Sequence, residues 1–172
     1  MVRVINDIMY NDNDINFLKN SINNFVSTSP PFEGNSKHKV KNYYYRMMLD
    51  NNVDLLDYQN KLISYLNKNF NLNVKIDGIW INKINNQYNK NDDYHLDKSN
   101  LTMITFLNDD FTGGEFEYID DNSEIGQIKP KKGLSILQNN LLLHRVKNVI
   151  EGDRYTLVCF LETEIKNKKT LL

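Results

Sequence analysis

Leu101-Thr102-Met103-Ile104-Thr105-Phe106-Leu107-Asn108-Asp109-Asp110-Phe111-Thr112-Gly113-Gly114-Glu115-Phe116-Glu117-Tyr118-Ile119 contains two short runs, Leu101 to Leu107 and Glu115 to Ile119, rich in β-branched and aromatic residues. Turn residues separate them, so the stretch reads as strand, turn, strand. The paired glycines let the chain take positive φ and reverse sharply, which makes them scaffold and not chemistry.

Outward from this stretch the pattern repeats. Val74 to Ile84, Leu134 to Leu137 and Tyr155 to Glu162 are further strand-like runs, with turns at Asp120-Asp121-Asn122 and Glu151-Gly152-Asp153. Many short strands without intervening helices point to a β-sandwich or barrel. Upstream the period changes. Ile15, Phe17, Leu18, Ile22 and Phe25 are spaced for the buried face of one helix, and Val53, Leu55, Leu56, Leu62, Ile63 and Leu66 for that of a second. Asp14 and Asn52 are candidate caps. Both helices are expected to pack on the outside of a sheet. Ser27 to Lys41, with Pro30-Pro31 and Gly34, is expected to be a loop. The sequence therefore predicts one domain over 1–172, with a helical support region at 1–70 and a β core at 72–163.

A chain of 172 residues can bury one real apolar core and is expected to carry one active site. With 21 basic and 22 acidic residues, net −1, it has no overall attraction for nucleic acid or an anionic membrane, and neither is expected as a partner. Residues 1–28 carry acidic and amide side chains throughout, so they read as neither a secretory signal nor a membrane anchor, and a soluble, intracellular protein is expected. The single cysteine, Cys159, excludes an internal disulfide and a cysteine-based zinc cluster, and it reads as inert core. Any metal must be held by nitrogen and oxygen.

Of three histidines, two fall in the strand-rich half, in Tyr94-His95-Leu96-Asp97 and Leu143-His144-Arg145. In an extended segment His95 and Asp97 project on one face, so an imidazole and a carboxylate can converge on one ion while His144 arrives from a distant strand. Two imidazoles and one carboxylate on one face of an octahedron leave positions open, which suits Fe(II) holding a chelating cosubstrate and dioxygen. Zinc more usually takes a closed tetrahedral set. Taken alone, a His-X-Asp pair is common by chance.

Residues 80–162 carry more than that pair. Tyr88, His95-Leu96-Asp97, Thr102 to Asn108 running on through Gly113-Gly114-Glu115-Phe116, Ile128 to Gly133, His144-Arg145-Val146 and Gly152-Asp153-Arg154-Tyr155 stand in an order and spacing that resemble the prolyl 4-hydroxylase-like branch of the Fe(II)/2-oxoglutarate-dependent oxygenases. The resemblance implies a mainly β fold with N-terminal helices (α+β), a double-stranded β-helix or cupin-like jelly roll buttressed by helices, with His95, Asp97 and His144 as catalytic metal ligands. It implies Arg154 as the residue that binds the far carboxylate of 2-oxoglutarate, a role that a planar guanidinium suits. Fe(II), 2-oxoglutarate and dioxygen are the implied cofactors, with ascorbate a candidate reductant.

The implied activity is that of a dioxygenase hydroxylating its substrate with release of succinate and carbon dioxide, foremost as a peptidyl prolyl 4-hydroxylase acting on a proline-containing protein or peptide. Hydroxylation of a free amino acid or other small molecule, and a non-catalytic β-helix binding module, are the alternatives. The chain departs from the family at Phe106, where a tyrosine often precedes the Leu-Asn pair, and near Asn91, where a glycine often stands. Tyr88 is a candidate for supplying the missing hydroxyl to the cosubstrate.

Other features carry less. The Asp/Asn alternation from Asn11 to Asn16 lacks the glycine and terminal glutamate of a calcium loop and reads as a helix start. His38, between Lys37 and Lys39, reads as a charged solvated loop. Tyr43, Tyr44, Tyr45 and Trp80 are equally readable as groove lining or as partial core.

Overall fold

The computed structural model describes residues 2–6, 9–35, 41–49, 53–88 and 93–163. Near-continuous apolar runs such as Leu101–Phe106, buried at every position, build a sheet covered on both faces. Strands β1 (Val2–Ile5), β2 (Phe32–Asn35), β3 (Lys41–Met48), β4 (Val74–Asn85), β5 (Leu101–Phe106), β9 (Ser135–Asn139) and β12 (Asp153–Thr163) form one sheet in the order β1-β9-β5-β12-β4-β3-β2. A smaller sheet, β10-β7-β8, is built from β7 (Phe116–Ile119), β8 (Ile125–Ile128) and β10 (His144–Val146), and β6 (Thr112–Gly113) pairs with β11 (Val149–Glu151). The paired strands are antiparallel throughout. The fold is a double-stranded β-helix.

The large sheet sends alternate residues to opposite sides. Ile79, Ile81, Met103, Leu137, Leu157, Cys159 and Leu161 pack outward against Ile15, Leu18 and Ile22 of α1 (Asp12–Val26) and Leu62 and Leu66 of α2 (Val53–Phe70). Trp80, Ile104, Ile136 and Val158 face inward, where Phe116 of the small sheet meets them. Cys159 is 2 % exposed, and burial pushes its thiol well above the ordinary range, so it is inert core as expected. No helix of the described residues is long and apolar enough to cross a membrane.

Several local expectations change. The cap of α1 is Asn11, whose side chain accepts from the Asp14 N–H while Asp14 accepts from the Asn11 N–H, a reciprocal capping box. Asp14 also binds Lys61 Nζ of α2 at 2.7 Å, so one carboxylate caps one helix and ties it to the other. Asn52 lies outside the described residues. The expected loop at 27–41 contains β2, which pairs with β3 as an edge strand, Phe32 opposite Tyr44. His38 lies outside the described residues. The region 1–70 is accordingly not helical support alone, because it also adds β1 to one edge of the large sheet and β3 and β2 to the other. Tyr44 and Tyr45 are both buried.

Candidate active site

His95 and Asp97 sit in an extended segment between β4 and β5, and His144 opens β10. The two segments are joined by reciprocal backbone hydrogen bonds, His95 N–H to His144 C=O at 2.9 Å and His144 N–H to His95 C=O at 3.1 Å. Leu96 between His95 and Asp97 is 53 % exposed, as the alternation of an extended segment requires.

Each imidazole is oriented by its own backbone. His95 Nδ1 faces the Asp93 carbonyl at 2.9 Å and His144 Nδ1 faces the Leu142 carbonyl at 3.0 Å. A carbonyl can only accept, so both Nδ1 atoms carry the proton and both Nε2 atoms keep the lone pair a metal needs. Those Nε2 atoms point to Asp97, with His95 Nε2 3.9 Å from Oδ1 and His144 Nε2 3.7 Å from Oδ2. One ligand atom from each of the three residues lies within 4.8 Å of the others. Phe116 stacks on the His144 ring at 5.1 Å between centroids and holds its plane.

Gln138, on β9 and fully buried, was not foreseen from sequence. Its Nε2 donates to Asp97 Oδ2 at 2.8 Å and lies 3.2 Å from His144 Nε2. It reaches the site because Gln138 pairs with Thr102 across β9 and β5, a relation set by sheet register.

Outside the two histidines sits a second cluster. Tyr94 and Arg145, the neighbours of the two histidines, both bind Glu117 of β7. The Tyr94 hydroxyl donates to Oε1, Arg145 Nη2 lies 2.6 Å from it, and the Arg145 guanidinium stacks over the Tyr94 ring at 4.6 Å. The Tyr94 hydrogen bond, helped by Arg145 and opposed by burial, holds the Glu117 carboxyl below the ordinary glutamate range.

His95, Asp97 and His144 line a cavity of about 450 Å³ whose wall also includes Arg46, Trp80, Asn82, Thr102, Arg154 and Thr156. Arg154 is 2 % exposed. Its Nε donates to the Gly114 carbonyl at 3.0 Å, its Nη1 donates to Thr156 Oγ1 at 3.3 Å, and its guanidinium lies over the Phe106 ring at 5.1 Å. Gly114 has φ +67°, and a Cβ there would come within 2.8 Å of Arg154 Cδ, so glycine is required both by conformation and by the approach of the arginine.

Tyr88 is placed elsewhere. Asn85 Oδ1 accepts from the Gln87 and Tyr88 N–H groups, turning the chain so that the Tyr88 ring packs edge-on against Tyr45 at 5.0 Å, in the outer core. It does not line the cavity, so the expected cosubstrate role is withdrawn. The hydroxyls in the wall are those of Thr102 and Thr156, and Thr102 Oγ1 is buried without a hydrogen-bond partner. Asn91 lies outside the described residues.

No family model matches the chain, and no curated protein matches it. Solved structures do. An oxidoreductase of the 2OG-Fe(II) oxygenase family from Burkholderia pseudomallei superposes with a TM-score of 0.72 at 15 % identity, covering 94 % of this chain and 85 % of its own. A viral collagen prolyl hydroxylase from Paramecium Bursaria Chlorella virus-1, in complex with 2OG, gives 0.62 at 17 %, covering 96 % of each chain. A prolyl hydroxylase from Trichoplax adhaerens, in complex with a peptide fragment of the hypoxia inducible factor oxygen degradation domain, gives 0.71 at 15 %, covering 95 % and 84 %. At such identities the likeness establishes the fold, and the fold is the double-stranded β-helix found in 2OG-Fe(II) oxygenases and prolyl hydroxylases.

Proposed function

We propose that this chain is an Fe(II)/2-oxoglutarate-dependent oxygenase in which His95, Asp97 and His144 hold the metal and Arg154 binds the distal carboxylate of the cosubstrate. The observation that carries the reading is the convergence of the two Nε2 lone pairs on Asp97, at a cavity that Arg154 also lines. The donor set fits the group: two neutral nitrogens and one carboxylate leave a six-coordinate ion three further positions. Thr102 Oγ1, buried and without a partner, fits a wall meant to receive oxygen ligands.

When bound, iron with 2-oxoglutarate and dioxygen supplies the oxidising power that yields hydroxylated product, succinate and carbon dioxide. The chain's own residues do the rest. The Asp93 and Leu142 carbonyls hold the ligand tautomers, and Gln138 fixes the Asp97 carboxylate. Phe106 stacks beneath Arg154 and keeps its fork in place. The surrounding Ile104, Val158 and Phe160 make the wall apolar and limit water.

For the substrate we take a prolyl residue of a protein or peptide. Two of the three structural neighbours named above are prolyl hydroxylases, one of them in complex with a peptide. Anaerobic addition of Fe(II) and then 2-oxoglutarate to metal-free protein tests the cofactor chemistry. A weak visible charge-transfer band is expected in the wild type and not in His144→Ala, and absence of the band in both overturns the reading. Arg154→Lys should form the band only at higher 2-oxoglutarate, because the bidentate fork is lost. Succinate released on aerobic incubation with proline-containing peptides then tests the substrate.

A further inference from the structure

Arg46 has no part in the chemistry proposed above, yet it lines the same cavity. It stands on β3, opposite Asn82 of β4, which is opposite Thr156 of β12, which is opposite Phe106 of β5. One transverse row of the sheet thus runs from the cosubstrate end of the cavity to Arg46. Two strand spacings separate Thr156 from Arg46, roughly 10 Å.

The guanidinium is held and not neutralised. Its carbon lies 4.6 Å from the Trp80 ring centre, 4.8 Å from that of Phe32 and 5.2 Å from that of Tyr44. Its Nε donates to Asn82 Oδ1 at 3.4 Å and its Nη2 to the Tyr44 hydroxyl. None of these partners is an anion, and none of the ion pairs among the described residues includes Arg46. Beside it, Trp80 is 6 % exposed, and its Nε1, which can only donate, is buried with no acceptor. Side by side in one wall, Arg46 thus lacks an anionic partner and Trp80 Nε1 lacks any acceptor among the described residues.

Charge points the same way. The cavity wall carries Arg46, Lys98 and Arg154 against one carboxylate, Asp97. On the reading above, a divalent metal with Asp97 and Arg154 leaves two positive charges, which the 2-oxoglutarate dianion cancels. Arg46 and Lys98 remain over. We infer that the substrate brings a carboxylate into this cavity and that Arg46 receives it, which makes Arg46 a specificity-determining residue. The planar fork suits a planar carboxylate, and the aromatic frame fixes the fork before the ligand arrives. A volume of about 450 Å³, shared with the cosubstrate, admits a small fragment: the carboxylate of an acidic side chain next to the hydroxylated residue, or the α-carboxylate of a free amino acid.

This inference rests on the proposed oxygenase reading for its charge balance, and its test separates the two. Trp80 is the sole tryptophan of the chain, so its emission reports directly on the Arg46 pocket. Protein loaded anaerobically with Fe(II) and 2-oxoglutarate is titrated with N-acetylproline against N-acetylproline amide, and with acetyl-prolyl-glutamate amide against its glutamine counterpart.

In the wild type at least one carboxylate probe should change the emission and bind about tenfold more tightly than its neutral counterpart. Which one responds identifies the source of the carboxylate. The preference should fall to near unity in Arg46→Gln and return in part in Arg46→Lys. Asn82→Asp, which keeps the arginine and sets an internal carboxylate beside it, should also weaken the carboxylate probe.

No discrimination by the wild type, equal discrimination in Arg46→Gln, or tighter binding of inorganic phosphate than of either carboxylate probe overturns the inference. Loss of the chelate band in Arg46→Gln also overturns it, since Arg46 would then serve the cosubstrate. A missing band in the wild type defeats the oxygenase reading alone, and the same titrations on metal-free protein still decide the carboxylate preference.

Discussion

Thr156 and Leu157 are adjacent in sequence and face opposite sides of the large sheet. Leu157 joins an outer core of aliphatic and aromatic residues closed by the two helices. Thr156 faces a cavity where Asn82, Thr102, His144 and Arg154 are buried alongside apolar neighbours. The outer face gains from every methylene it removes from water. The inner face carries the desolvation cost of polar groups, which is tolerable only where they bond to one another or to a ligand. The same strands thus separate stability from function by the parity of residue position.

Substitutions can break that separation or sharpen it. The largest effect is expected from Asp97→Ala, which removes the one anionic ligand: succinate production should fall to background while the melting point of the metal-free protein is kept, and unchanged turnover would defeat the metal assignment. On the other face, Leu157→Ala should lower unfolding free energy by about 2–5 kcal/mol in denaturant titration, with the chelate band per folded molecule unaltered. Gln138→Leu is more selective. Loss of its 2.8 Å bond to Asp97 should weaken Fe(II) binding by about 10–100-fold, measurable by competition with a chelator, at little cost in stability.

The smallest effect concerns Glu117. Its carboxyl is held below the ordinary glutamate range chiefly by Tyr94, so its stabilisation is complete above that range and fades as pH falls through the lowered value. Glu117→Gln should cost about 1 kcal/mol near neutral pH and flatten the acid limb of the stability profile. An unchanged acid limb would show that the Tyr94-Glu117-Arg145 cluster contributes nothing there.

The sequence shows some of this and hides the rest for physical reasons. The meeting of His95, Asp97, His144 and Arg154 at one cavity was legible because they lie in short motifs that local order reveals, and the strand runs because their composition and turns are local too. Non-local contributions were not. Gln138 reaches Asp97 only through the β9 to β5 register, and Arg46 joins the cavity only because β3 adds to β4. Tyr88 misled because closeness to His95 in sequence says nothing about which side of the sheet a turn delivers it to, and Asn85 settles that. The strand at Phe32–Asn35 was hidden by the diproline before it, since an edge strand tolerates such a flank. Asn11 was passed over for Asp14 because both are good caps three residues apart, and only the reciprocal bonds assign the roles.

The bridge between His95 and His144 is made by main-chain atoms alone. Its geometry is indifferent to which side chains the two positions carry. The side chains at these two positions can therefore be exchanged, for carboxylates that suit a harder ion, without removing the main-chain bonds that set their separation. Metal preference and closure are thus set by separate atoms, the first by side chains and the second by the backbone.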